Sequence, residues 1–180
     1  MRIVFAFILF SMWYLPAQSQ SATVTASISL SAPSPTCSFS RRSHLNYGTL
    51  EKPTSGSASV TVNAQTGART STGASVGGGS AVGHAALTGS NVANYSVSRA
   101  FPPNLSNSDD ELTFSGAWSQ SASSSSGYTA ISGTSYSGSA GGAGTSFTRH
   151  FRFGGTVSGI DISDANGTYT GTITATGTCN

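Results

Sequence analysis

Apolar and polar residues alternate most regularly near the two ends of the chain. Ala22, Val24, Ala26, Ile28 and Leu30 fall on one side of the alternation, with Thr23, Thr25, Ser27, Ser29 and Ser31 on the other. Towards the C-terminus, Tyr169, Gly171, Ile173, Ala175 and Gly177 alternate with Thr168, Thr170, Thr172, Thr174 and Thr176. A period of two sends every second side chain to the same face, which is the signature of a half-buried strand. Shorter strands are predicted between them at 45–50, 57–64, 83–88, 95–99, 111–118, 146–153 and 156–162. Asn166-Gly167 predicts a type I′ hairpin turn joining the last of these to the C-terminal strand. No window carries a helical period. Many short strands separated by Gly and Ser turns predict an all-β sandwich or barrel.

The first apolar run is of another kind. Met1-Arg2 give a positive start, 3–15 are almost wholly apolar, Pro16 breaks the run, and Ala17 and Ser19 offer a small-x-small cleavage site. That layout predicts a secretory signal peptide over 1–19, the run being short of the ~20 apolar residues a membrane span needs. The expected product is exported, with no integral membrane segment after signal removal. Residues 20–35 then read as a strand and a stiff hinge, because Pro33 and Pro35 prevent its continuation as a central strand. Residues 36–180 read as one domain. Within it, 70–80 and the Ser/Gly-rich insertion at 119–145 read as surface loops, and Tyr128, Ile131 and Tyr136 suggest some pairing in the second. The insertion is either a partner-facing loop or a flexible addition.

Composition sharpens this picture. Gly, Ser and Thr number 22, 35 and 22 of 180 residues, and charged residues are 8%. Such a chain has little use for long helices, whose favoured residues are missing. The net charge of +2 is scattered and Lys52 is the one lysine, so neither a nucleic-acid face nor a polybasic tether is expected. Beyond the signal, Val, Ile, Leu and Phe make up about 16% of the chain, a thin supply for a core. Cys37 and Cys179 are a candidate reinforcement. Two cysteines in an exported chain most often pair within the chain, and free thiols or a bridge between chains are the alternatives.

The leader invites a further reading. A complete alternating strand ahead of a proline hinge can complete a neighbour's sheet, or fold back as the first strand of its own domain. That leader, the cysteine, and Leu45-Asn46-Tyr47-Gly48-Thr49-Leu50 resemble the opening of bacterial pilin-like domains, including the spore-coat-U type. Downstream, 56–62, 67–88, Ala93-Asn94-Tyr95-Ser96-Val97, Leu112-Thr113-Phe114, Phe153-Gly154-Gly155-Thr156-Val157 and 167–172 are similar to the exported bacterial domain of unknown function 4402 family. The resemblance implies an immunoglobulin-like β-sandwich, by analogy a fimbrial or surface-structure subunit, incomplete until a donor strand complements it. Typical pilins bridge two early strands, whereas here the second cysteine lies at the C-terminus.

Other motifs carry little chemistry. Gly73-Ala74-Ser75-Val76-Gly77 matches a nucleophile-elbow string, but no helical pattern follows it, and in so Gly/Ser-rich a chain such a match arises by chance. Asn107-Ser108-Asp109-Asp110-Glu111 and Asp161-Ile162-Ser163-Asp164 are oxygen-rich turns without a full calcium ligand set, so turn-forming residues are the simpler reading. His44, His84 and His150 have no ligand-like spacing. Neither a metal nor a cofactor is expected, nor a catalytic residue. Arg149 shares parity with Phe147, Phe151 and Phe153, which predicts a bulge or a half-covered face. Trp118 reads as a core or rim aromatic before a sugar platform.

The expectation is a non-enzymatic secreted subunit of a pilus-like or other surface assembly, polymerising through Ala22, Val24, Ala26, Ile28 and Leu30, with Cys37–Cys179 stapling the receiving domain. Its partners would be its own copies or other surface subunits, with a periplasmic chaperone as a candidate escort. The alternative is a self-contained adhesion module for glycan or matrix, using the Ser/Gly/Tyr loop.

Overall fold

The computed structural model describes residues 27–31 and 33–180. The chain divides into two units, Met1–Ser31 and Ala32–Asn180. The expected signal, and Ala22, Val24 and Ala26 of the leader, lie outside the described residues. In the first unit, residues 27–31 form no strand, and Ile28 and Leu30 are 84% and 89% exposed.

The second unit is an all-β sandwich. Its strands in chain order are β1 (Thr36–Ser43), β2 (Thr49–Leu50), β3 (Ala58–Val62), β4 (Arg69–Thr72), β5 (Val76–Gly77), β6 (Gly83–Ser90) and β7 (Asn94–Ala100). After them come β8 (Asn104–Ser106), β9 (Glu111–Ser121), β10 (Thr129–Ala130), β11 (Ser135–Ser139), β12 (Ser146–Ile160) and β13 (Thr174–Cys179). Eight of them build one antiparallel sheet around β12. One edge of β12 pairs with β6 over 146–153 and with β3 over 155–160, while its other edge pairs with β9 over 150–158. β1 lies outside β6 and β4 outside β3, with β8 and β10 on β9. A second sheet has the order β11-β7-β13, and β2 pairs with β5.

Alternation drives the packing. In β7, Tyr95 and Val97 are buried and the serines between them are not. They meet Leu87, Trp118, Phe151 and Phe153 of the large sheet in one core cluster. Trp118 is 2% exposed, stacks on both phenylalanines and donates Nε1–H to Gly133 O at 3.0 Å, so it is a core residue. A second cluster (Ala58, Val60, Leu112, Phe114, Val157 and Ile160) comes wholly from β3, β9 and β12. No strand of the small sheet contributes to it, and this asymmetry creates the site.

Four sequence readings are corrected. Residues 146–162 are not two strands, because Gly154 and Gly155 carry β12 through without a break: a Cβ on Gly154 would strike Val62 O and Ala64 N, so only glycine lets β3 approach there. Asn166-Gly167 does not close a hairpin, because β13 pairs with β7 and not with β12. That strand begins at Thr174, and Thr170 and Tyr169 are instead held by Ser106 and Asp110. The stretch 119–145 is no loose insertion, since it extends β9 and contributes β10 and β11, with Tyr128 buried. Likewise 70–80 contains β5 and all of β4 but Arg69. Arg149 is half-buried on the half-covered face beside Tyr95, and the bulge of β12 falls later, between Ser158 and Ile160.

Candidate functional site

The second cluster lies at the floor of an open groove of about 1,020 Å³. Val60, Phe114, Phe153, Val157 and Ile160 form that floor. One wall runs from Phe39 in β1 to Lys52, and the other from Asp164 to Ala175 at the start of β13. These walls end in unpaired edges. Among the described residues β1 pairs with β6 alone and β13 with β7 alone, so the backbone groups on their outer edges have no strand partner there. No residue of β13 is buried, and its inward-facing Ala175, Gly177 and Cys179 are only half-covered. An apolar trough flanked by two free strand edges has the features that let a sheet accept a further strand.

Both ends of the groove are tied. At one end, Cys37 and Cys179 are disulfide-bonded with their Cα atoms 6.0 Å apart, which joins β1 to β13 and one sheet to the other. At the other, Lys52 donates from Nζ to Asp164 O at 2.7 Å and Ile162 O at 3.2 Å. The near wall is fixed by backbone acceptors. Arg69 donates to Tyr47 O at 2.7 Å, Gly77 O at 2.9 Å and Gly78 O at 3.1 Å. Tyr47 in turn donates to Gly155 O at 2.9 Å. Burial pushes the Tyr47 hydroxyl well above the usual phenol range, so it is a donor at any physiological pH.

The far wall hangs on Asp110. Its carboxylate accepts from Glu111 N at 2.7 Å, Ala165 N at 3.2 Å and the Tyr169 hydroxyl at 3.1 Å. These donors, the Glu111 amide first, hold its pKa below the ordinary aspartate value. The sheet thus brings together the two oxygen-rich turns that stand far apart in sequence. Their carboxylates act as turn acceptors: Asp161 takes Ser163 N at 2.7 Å, and Asp164 takes Asp161 N at 2.8 Å.

Of the expected donor strand, Ile28 and Leu30 are described and exposed. Ser75 of the nucleophile-elbow string sits exposed between β4 and β5 with no helix after it. The groove itself was not readable in the sequence, because its lining is drawn from positions 39 to 175 and meets only in the folded sheets.

No curated protein and no solved structure matches the chain. A family model described as "Domain of unknown function (DUF4402)" matches residues 37–177, which take in Cys37, the groove and nearly the whole second unit but not Cys179. The chain therefore belongs to the DUF4402 family.

Proposed function

We propose that this protein is an exported, non-enzymatic subunit of a pilus-like or other surface assembly, in which residues 22–30 of one copy fill the groove of the next. The observation that carries the reading is the groove, an apolar floor on the large sheet that no strand of the second sheet faces, with Leu50 and Val76 packed at its side and, among the described residues, two free strand edges along it. The leader is chemically suited to it. Its alternation puts five apolar side chains on one face, and nine residues of strand span about 30 Å. Moving a Val, Leu or Ile side chain from water into such a floor contributes about 1.5–3 kcal/mol each. Pro33 and Pro35 separate that strand from β1. The disulfide suits an oxidising compartment outside the cytoplasm. A groove of this kind, unfilled, is an aggregation hazard, which would make a periplasmic chaperone a natural escort in transit. The rival reading, an adhesion module using 119–145, has less support, because Tyr128, Ile131 and Tyr136 pack inward.

The test uses the oxidised chain from residue 20 onward with Ile28→Asp and Leu30→Asp, which keeps the groove and spoils the leader. Adding a peptide of residues 22–31 should raise its melting temperature, and the same peptide with both aspartates should not. A melt indifferent to the good peptide would sink the proposal.

A further inference from the structure

The solvent-facing side of the large sheet holds an arrangement that the spacing along the chain conceals. His84 lies on β6 and His150 on β12, and the antiparallel register sets Arg152 opposite His84 and Ala86 opposite His150. The two histidines are therefore diagonal neighbours across one strand pair. Their facing nitrogens, His84 Nε2 and His150 Nδ1, are 3.1 Å apart. The ring centroids are 5.2 Å apart and the planes are inclined by 42°. Both strands are paired along both edges here, β6 with β1 and β12, and β12 with β6 and β9, so the backbone beneath the rings is held firmly.

We infer that His84 Nε2 and His150 Nδ1 form a two-point chelating site for a divalent transition-metal ion, with Cu(II) bound in preference to Ni(II) and Zn(II). The bite is right. Metal–imidazole bonds of about 2.0–2.1 Å, opening at about 90–109°, set the two nitrogens about 2.9–3.4 Å apart. In the metal-free pair one facing nitrogen donates its N–H to the other. Binding moves that proton to the same ring's outward nitrogen, and the rings turn so that both lone pairs, which in the metal-free pair lie along the line between the nitrogens, converge on the ion. Nothing is oxidised or reduced. His84 Nδ1 and His150 Nε2 have no protein hydrogen-bond partner among the described residues, so either tautomer is accessible.

The surroundings set the selectivity. Burial first, then the neighbouring charges, lowers the pKa of both rings and leaves them neutral, with lone pairs available, at neutral pH. For His84 the charges are His150 itself, then Arg152 of β12 and Arg42 at the bulge of β1; for His150 they are Arg42 and Arg152. Two guanidinium groups also oppose any cation. Only an ion with strong affinity for imidazole overcomes that repulsion, and copper heads the order for nitrogen ligands. Calcium and magnesium prefer oxygen and are disfavoured. Among the described residues no third histidine, cysteine or carboxylate completes the set, so the other coordination positions go to water or to an exchangeable ligand.

The experiment titrates the oxidised chain from residue 20 onward with Cu(II) chloride, followed by calorimetry and electron paramagnetic resonance. One saturable equivalent with a nitrogen-coordinated spectrum is expected. His84→Ala and His150→Ala should each weaken binding about tenfold or more, since one imidazole alone is a poor anchor. His44→Ala should leave it unchanged, and Arg42→Ala should tighten it about threefold by removing a nearby positive charge. Because a substitution can disturb the sheet, wild-type imidazole resonances provide a second reading. Sub-stoichiometric Cu(II) should broaden His84 and His150 before His44. Absence of a saturable site, binding that survives both alanine variants, or broadening centred on His44 would each overturn the inference.

Discussion

Gly89 stands directly opposite Phe147 across β6 and β12, and Gly138 directly opposite Tyr95 across β7 and β11. In both pairs the ring occupies the space a side chain would need. A Cβ on Gly89 would lie 2.7 Å from Phe147 Cε1 and 2.8 Å from Thr36 O, and one on Gly138 would run into the Tyr95 ring. Counting Val, Ile, Leu and Phe therefore understates this core, because some glycines are packing positions that aromatic rings cover. Gly89→Ala should destabilise the protein by about 1–3 kcal/mol through overpacking. Gly79→Ala, where a Cβ meets nothing within 4 Å, should stay within about 0.5 kcal/mol. Urea unfolding of the two variants compares them. Asp110 gives a pH prediction at the same scale. Its folded pKa lies below the ordinary value of 3.8. The carboxylate thus contributes stability that is present above that value and is lost as pH falls through the depressed one. Asp110→Asn should flatten the acid limb of the stability curve, and an unchanged limb would show that the Asp110 contacts contribute nothing there.

At the scale of elements, the disulfide is the feature with the most at stake. It links the edge strands of two sheets across a sequence separation of 142. Closing a loop that long contributes up to about 5 kcal/mol in the chain-entropy model. Replacing both cysteines by serine should lower unfolding free energy by about 3–5 kcal/mol, with reductant reproducing the loss in the wild type. A loss well under 1 kcal/mol would mean the reduced chain is already ordered around that contact. How far elements were legible in the sequence depends on their composition. β3, β6, β7 and β9 show apolar residues at strand parity and were readable. β1 was not, since Phe39 is the one large apolar residue in Thr36–Ser43 and the strand is held mainly by its hydrogen bonds to β6. Gly154-Gly155 looked like a break because glycine usually marks a turn, whereas here its missing side chain admits a neighbouring backbone. Asn166-Gly167 looked like a hairpin because local turn preference carries no information about which strand β13 will join. The alternation that suggests a donor is local, so the sequence can propose that half of the interaction. The groove and the His84–His150 pair are products of long-range register, and no spacing rule reaches them.

For the whole molecule, the proposal makes each copy both donor and acceptor, and the two roles can be disabled separately. Ile28→Asp with Leu30→Asp removes the donor and leaves the groove. Ala175→Phe does the reverse, because Ala175 is half-buried in the groove wall on the free edge strand β13 and a ring there occupies the space a donor would need. Each variant alone should be monomeric, while the wild type forms polymers or, at least, a concentration-dependent series. Mixed in equal amounts, the two variants should give a discrete dimer and nothing larger, since the intact leader of one enters the intact groove of the other and growth then stops. Light scattering after size separation distinguishes the cases. If the leader instead folds back on its own domain, the wild type is monomeric, whereas the mixture still dimerises, because the leader displaced from the filled groove of one variant enters the vacant groove of the other. A mixture that polymerises would point to contacts outside the groove altogether. The dimer of the mixture therefore tests whether leader and groove fit, and the state of the wild type, polymer or monomer, decides whether the donor comes from a neighbouring copy or from the same chain.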